Sequence, residues 1–210
     1  MSRAPRRPPA ERRIELATAA RDLALSDGLA AVTLRGVAGR AGVTPALVAH
    51  YHPAMDALVA SAFAAVVGAE LGEVRTLLAG AGGPTQRLAV LLRTLLDGTR
   101  DDVTLVWVEA WALGRRNDVL AEAVREQMDA WQELILGIVQ EGVAAGEFHA
   151  DDPAQAAWQL LGMIDGLNAQ ALVRWGGGDR GPVLARAVEG MLGLRRGALD
   201  GTYGALPYIE

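Results

Sequence analysis

The chain has 210 residues, of which 51% are hydrophobic and 21% charged, with a formal net charge of −5 and no cysteine. This composition supplies enough apolar surface for a folded core and excludes wholesale disorder, and the lack of cysteine excludes a disulfide framework, thiol catalysis and thiolate zinc sites. No uncharged run approaches the roughly 20 residues that span a bilayer, and prolines interrupt the basic N-terminus. We therefore expect a cytoplasmic protein without a membrane segment or a signal peptide.

Charge is distributed unevenly along the chain. Residues 1–60 hold 8 arginines and 5 acidic residues, a net charge of +3, whereas the other 150 residues hold 12 arginines and 20 acidic residues, a net charge of −8. A basic segment joined to an acidic remainder predicts that only the first part contacts a polyanion.

Three short helices are predicted after a mobile arm, rich in arginine and proline, at residues 1–13. Apolar residues three to four positions apart predict a first helix that ends at Gly28. Thr33 is suited to cap a second helix, Leu34 to Ala41. Thr44 is suited to cap a third helix, which Pro45 begins and which ends near His52.

Longer helices are predicted in the remainder, at 54–79, 85–99, 102–115, 118–146, 153–175 and 182–197. The fold class is therefore all-α, with about nine helices: a three-helix unit followed by a bundle of six. The predicted divisions are the arm 1–13, a three-helix domain 14–57, a helical bundle 58–197 and a loose tail 198–210.

The second and third helices, joined by a tight glycine turn, predict a helix-turn-helix, which places its second helix in the major groove of DNA. Small residues occupy the expected helix contacts, a glycine occupies the turn, and apolar residues would fix the crossing angle: Ala38, Ala41, Gly42, Val37, Val43 and Val48.

These residues also carry a family resemblance. Residues 33–58, TLRGVAGRAGVTPALVAHYHPAMDAL, resemble the N-terminal DNA-binding domain of the TetR family of transcriptional regulators. Residues 105–173 resemble the C-terminal domain of the choline-responsive BetI-type branch, through LVWVEAWAL, AWQELILGIVQEGVAAGEF and DPAQAAWQLLGMIDGL. The resemblance implies a helix-turn-helix DNA-binding domain followed by a helical domain for ligand binding and dimerisation.

The resemblance also implies the DNA-binding residues. Backbone phosphates would be contacted by Thr33, Arg35, Thr44, His50 and Tyr51, and base edges by Pro45, Ala46, Leu47 and Ala49. The chain departs from the usual family residues at Pro45, Ala49, His52 and Met55. Proline, alanine and leucine cannot make bidentate hydrogen bonds to bases, so contacts to thymine methyl groups or DNA shape would have to supply specificity.

The effector pocket is predicted from the distribution of tryptophan, all of which follows residue 106. The candidate residues combine aromatic rings with a few polar groups: Trp107, Glu109, Trp111, Trp131, Trp158, Asp165 and Asn168. Aromatic rings with a carboxylate can hold a quaternary ammonium ion, such as a choline-like cation. The alternative is a tryptophan-rich core whose acidic residues are solvated or paired.

Dimerisation is predicted through helices 153–175 and 182–197, which are too apolar to stand alone and would form a four-helix bundle with a second copy. An intrachain core is the alternative. The partners expected are thus a palindromic double-stranded operator, a second copy of the chain and an unidentified small-molecule effector.

The predicted function is a ligand-responsive, sequence-specific regulator, most simply a repressor that an effector releases from its operator. The alternative is an all-α ligand-binding or interaction protein whose helix-turn-helix no longer reads DNA. No enzyme, cofactor or metal site is predicted, because nucleophile–base arrangements, phosphate loops and metal-ligand spacings are lacking, and His50 and His52 point apart on a helix.

Overall fold

The protein is all-α, as predicted. The structure, a computed structural model, describes residues 8–175 and 179–200. Across these residues the chain forms nine α-helices and a short 3-10 helix, Leu29–Ala31: α1 Pro9–Asp27, α2 Leu34–Ala41, α3 Pro45–Tyr51, α4 Met55–Ala79, α5 Pro84–Leu96, α6 Asp101–Gly114, α7 Asp118–Ala144, α8 Pro153–Leu172 and α9 Arg180–Met191.

The first helix begins earlier than the sequence predicted. Pro9 occupies its first turn together with Glu11, and the Arg12 N–H donates to the Pro8 carbonyl oxygen at 3.1 Å. Proline is favoured there because its missing N–H would be unpaired in any case, and an acidic residue suits the positive end of the helix dipole. The predicted arm of residues 1–13 is therefore too long: residues 9–13 are helical, and residues 1–7 lie outside the described residues.

Helices α8 and α9 also end earlier in the sequence than predicted. Helix α8 ends at Leu172 rather than at residue 175, and α9 ends at Met191 rather than at residue 197. After α9, the Leu194 N–H donates a hydrogen bond to the Glu189 carbonyl oxygen at 2.8 Å. The predicted loose tail is anchored at Leu199, which is buried and donates its N–H to Glu189 Oε1 at 3.0 Å. Residues 201–210 of that tail lie outside the described residues.

The chain divides into two compact units. Among the described residues, the first unit comprises those up to Ala69 together with Leu105–Gln127, and the second comprises Glu70–Thr104 together with those from Met128 onwards. In the first unit, α1 packs against α2, α3 and the 3-10 helix. In the second unit, α5 packs against α8 and α9, which also pack on each other.

Helix α4 is the only described helix with the length and hydropathy of a membrane span, with a mean hydropathy of 1.6. Half of the most apolar 18-residue stretch of α4 is buried inside the protein. Phe63 and Val67 on this helix are fully buried. A buried apolar helix of this kind is typical of a protein core.

Candidate DNA-binding surface and effector site

The two short helices α2 and α3 are each capped by a threonine, as predicted. Thr33 Oγ1 accepts a hydrogen bond from the Gly36 N–H at 3.1 Å, and Thr44 Oγ1 accepts one from the Leu47 N–H at 3.3 Å. Each bond satisfies one of the backbone donors that a helix N-terminus leaves unpaired. The local sequence therefore fixes where both helices begin.

The turn between α2 and α3 depends on Gly42, which adopts a left-handed conformation with φ of +65°. The Val43 N–H donates to the Ala38 carbonyl oxygen at 2.9 Å, which closes the end of α2 in a Schellman-type turn. A side chain is disfavoured at this φ, so glycine suits the position. Val37, Ala38 and Val48 are buried and hold the two helices together.

Because Val48 of α3 is buried against the domain core, the opposite side of α3 faces outward. Thr44, Pro45, Ala46 and His50 are exposed, while Leu47, Ala49 and Tyr51 are half-buried. Thr33 and Arg35, at the start of α2, are exposed as well. None of the described helices of the first unit covers the N-terminal surface of α3. In helix-turn-helix proteins, this part of the recognition helix faces the bases.

Two arginines near this surface differ in their partners. Arg40 of α2 bonds Asp27 Oδ2 at 3.1 Å and also contacts Ser26, so it ties α2 to the end of α1. Arg13 of α1 lies over the ring of Tyr51, with its guanidinium carbon 5.8 Å from the ring centroid. The sequence had assigned Arg13 to a mobile arm, and nothing in its local pattern indicated the contact with α3.

Three predicted pocket residues lie on α6 in the first unit, but Glu109 makes a different contact from the two tryptophans. Trp107 and Trp111 have ring centroids 5.8 Å apart, and Trp107 makes an edge-to-face contact with Phe63 at 5.1 Å. Glu109 instead accepts a hydrogen bond from the Ala30 N–H at 3.1 Å. Its carboxylate therefore binds the backbone of the 3-10 helix Leu29–Ala31. Phe63 was missed because it belongs to an ordinary apolar run.

The other predicted pocket residues lie in the second unit and differ widely in exposure. Trp131 is buried, whereas Trp158 is 70% exposed. Asn168 donates to the Leu95 carbonyl oxygen at 3.0 Å and accepts from Arg180 Nη1 at 3.1 Å, so it joins α5, α8 and α9. Burial raises the pKa of the Asp165 carboxyl from 3.8 to about 6.

The second unit also contains a groove of about 450 Å³ that the sequence did not indicate. Its lining comes from α4, α5 and α7 and includes an ion pair between Arg87 and Glu141, with Arg75 and Glu133 nearby. None of the predicted pocket residues lines it. Within the described ranges no group of three or more histidine or acidic residues is arranged to hold a metal ion.

Two known protein families match parts of the chain. Residues 16–62 match the family described as bacterial regulatory proteins, tetR family, and residues 84–192, just over half of the chain, match the family described as BetI-type transcriptional repressor, C-terminal. The HTH-type transcriptional regulator BetI of Rhizobium meliloti (strain 1021) is 27% identical over 158 residues, which cover 74% of this chain and 75% of that protein.

Solved structures share the fold. A transcriptional regulator from Saccharomonospora viridis, solved in complex with choline, superposes with a TM-score of 0.77 at 22% identity and covers 87% of this chain and 98% of its own. A regulator from Pseudomonas aeruginosa PAO1 gives a TM-score of 0.73 at 22% identity, over 89% of this chain and 92% of its own. The matched families consist of transcriptional regulators rather than enzymes. This chain belongs to the TetR family, with a BetI-type C-terminal domain, and is a ligand-responsive, DNA-binding transcriptional repressor.

Proposed function

We propose that the protein is a homodimeric repressor that inserts α3 of each protomer into successive major grooves of a palindromic operator. The observation that carries this proposal is the outward surface of α3: Val48 anchors the helix, while Thr44, Pro45, Ala46 and His50 stay exposed. Two such helices about 34–36 Å apart match one turn of DNA. Its site of action would be the cytoplasm, where bacterial operators lie.

The contacts to DNA divide into two groups in this proposal. Hydroxyl, guanidinium and imidazole groups would bind backbone phosphates, which fixes position without reading sequence: Thr33, Arg35, Thr44, His50 and Tyr51. The base-facing residues are apolar and would contact thymine methyl groups: Pro45, Ala46, Leu47 and Ala49. With few hydrogen-bonding groups on this face, DNA shape would contribute to the choice of operator.

The dimer would form through the outward faces of α8 and α9. On α8, Trp158 is largely exposed, and a Cβ added at Gly162 or Gly166 would meet no atom within 4 Å. On α9, Val183 is 65% exposed. A second copy of the same two helices would cover these apolar side chains and use the two glycines for close approach. The opposite faces of α8 and α9 do belong to the intrachain core, since Leu160, Ile164 and Val188 are buried there. The proposed interface is therefore limited to the exposed face.

The effector would be a quaternary ammonium ion such as choline, bound to the aromatic rings on α6. Trp107 and Trp111 lie next to each other, and Phe63 borders Trp107. The Trp111 Nε1–H is buried and has no acceptor among the described residues, so a ligand that carries an oxygen would satisfy it. Aromatic faces attract such cations, and Glu109 is not required for this attraction.

Release from DNA would follow from a shift between two conformations of the dimer. The effector would prefer a dimer in which the spacing of the two α3 helices no longer matches the operator, and the shift is limited by its preference for that form. Helix α4 would transmit the change, because it starts directly after α3 and continues from the first unit into the second.

A titration of fluorescent duplexes tests the proposal. One duplex carries the promoter next to the protein's own gene and the other a random sequence, and both are measured at two salt concentrations. We expect tighter binding to the promoter, and weaker binding when Arg35 is replaced in R35A. The matched control is R115A, which removes an exposed arginine on the loop after α6. Equal affinity for both duplexes would instead favour a ligand-binding protein that no longer reads DNA.

A further inference from the structure

Arg13 lies within a helix of the DNA-binding domain. Helix α1 begins at Pro9, so Arg13 lies in its second turn. Helix α1 packs against α3, and the Arg13 guanidinium lies over the ring of Tyr51, the last residue of α3. The contact between the two side chains therefore holds a cation at the C-terminal end of the recognition helix.

No carboxylate among residues 8–175 and 179–200 forms a salt bridge with Arg13. On the same helix, Arg12 pairs with Glu15 at 2.6 Å and Arg21 pairs with Asp22 at 2.7 Å. Arg13 is exposed, and within the described part of the chain it forms no salt bridge. A guanidinium over an aromatic ring uses its π-face and keeps its N–H edge free to donate. Arg13 is thus positioned as a cation with donors available to an anion.

Two other side chains extend this group. The His50 ring makes an edge-to-face contact with the Tyr51 ring, with centroids 5.0 Å apart. Guanidinium, phenol and imidazole consequently lie next to one another on α1 and α3. All three groups can donate a hydrogen bond, and only the arginine carries a permanent positive charge.

We infer that Arg13, Tyr51 and His50 form a binding site for a phosphodiester group of the DNA backbone, with Arg13 supplying its charge. This inference rests on the proposed function, and it adds α1 to the DNA-binding surface. Phosphate is the favoured ligand because the planar guanidinium edge matches its oxygens, and because α1 lies beside the recognition helix rather than within it.

The salt dependence of DNA affinity tests this site. The logarithm of the affinity falls with the logarithm of the salt concentration, and each neutralised phosphate contributes a slope of about 0.9. We expect R13A to bind promoter and random duplexes roughly three- to tenfold more weakly at about 0.1 M salt, with a slope lower by about one. R13K keeps the charge and should retain the slope of the wild type.

R21A is the matched control, because it removes an exposed arginine of α1 that is already paired with Asp22. It should bind as the wild type does. The Tm of R13A should stay within about 2–4 °C of the wild-type Tm, because only one exposed cation–π contact is lost. This measurement separates lost binding from lost folding.

An R13A variant with unchanged affinity and slope would overturn the inference, while promoter binding by the wild type would leave the proposed function intact. Weaker binding of R13A to the promoter alone, with an unchanged slope, would also overturn it, since that result indicates base reading. If the wild type binds neither duplex, the proposed function fails together with this site.

Discussion

Glu109 of α6 accepts a hydrogen bond from the backbone N–H of Ala30, at 3.1 Å and across 79 positions of sequence. Ala30 belongs to the 3-10 helix that joins α1 to α2. The N-cap of this 3-10 helix is Gly28, which has no side chain to accept a hydrogen bond. The Glu109 carboxylate supplies the missing acceptor, and negative charge suits a helix N-terminus. One residue of α6 therefore stabilises the connection between the first two helices of the DNA-binding domain.

Removing this acceptor should destabilise the protein measurably. E109A leaves the Ala30 N–H without its partner, which costs about 1 kcal/mol and lowers Tm by about 2–4 °C in a chain of this size. E109Q keeps an acceptor oxygen and should lose less. The control is E126A, which truncates an exposed glutamate of α7. Equal thermal melts for E109A and E126A would contradict the capping role.

Gly28 should tolerate no side chain. Its φ of +85° and ψ of 164° fall in a region that only glycine adopts readily, and a Cβ would lie 2.7 Å from Glu109 Oε2. We expect G28A to cost about 1–3 kcal/mol in urea unfolding. The control G39A places a methyl group in open space within α2 and should stabilise the protein slightly. The double variant G28A/E109A removes the clash between the new Cβ and the Glu109 side chain but keeps the backbone strain. Its loss in free energy of unfolding should therefore be smaller than the sum of the losses in G28A and E109A.

Asp165 should make stability depend on pH. Burial raises its folded pKa to about 6, above the unfolded value of 3.8, so the charged carboxylate destabilises the fold fully above pH 6. The penalty fades as the pH falls from about 6 towards 4, because the folded state then holds the proton more tightly than the unfolded state. D165N should thus raise the free energy of unfolding by about 1–2 kcal/mol at pH 7.5.

The gain from D165N should shrink by about half at pH 5. Urea titrations at the two pH values and one fixed protein concentration measure it, with the exposed-residue variant D151N as the control. A gain that is the same at both pH values would show that the carboxyl charge is not its source.

The outward face of α8 should control dimerisation. G162R places a long cation where a second copy would approach, yet its Cβ meets no atom of its own chain within 4 Å. We expect sedimentation equilibrium to show at least a tenfold weaker dimer with an unchanged helical content. G72R, at an equally open position on α4, is the control and should remain as dimeric as the wild type. A G162R variant that dimerises normally would place the interface elsewhere.

Choline should stabilise the protein if the α6 aromatic rings bind a quaternary ammonium ion. At one hundred times its dissociation constant a ligand adds about 2.7 kcal/mol, which is readily seen as a rise in Tm. Its neutral isostere 3,3-dimethylbutan-1-ol should give little shift, because it lacks the charge that the rings attract. W107A and W111A should lose the response, whereas W175A, which truncates an exposed tryptophan, should keep it. Equal shifts with choline and the isostere would rule out cation recognition.

Features encoded within a few residues were predictable from the sequence. Thr33 and Thr44 cap α2 and α3, and Asp152 caps α8 by accepting from the N–H groups of Ala154 and Gln155. Gly42 adopts the left-handed turn that a helix-turn-helix needs. These signals depend on local backbone geometry and on side chains at most three positions away, so the order of residues suffices to specify them.

Contacts between distant residues were decided by the tertiary structure alone. Glu109 lies between two tryptophans in the sequence, which suggested a ligand carboxylate, but packing directs it to Ala30. Asn168 joins Leu95 to Arg180, and Arg13 lies over Tyr51. A polar side chain bonds to whichever donor or acceptor the packed helices bring within reach, and helical periodicity specifies which face a residue occupies but not what that face meets.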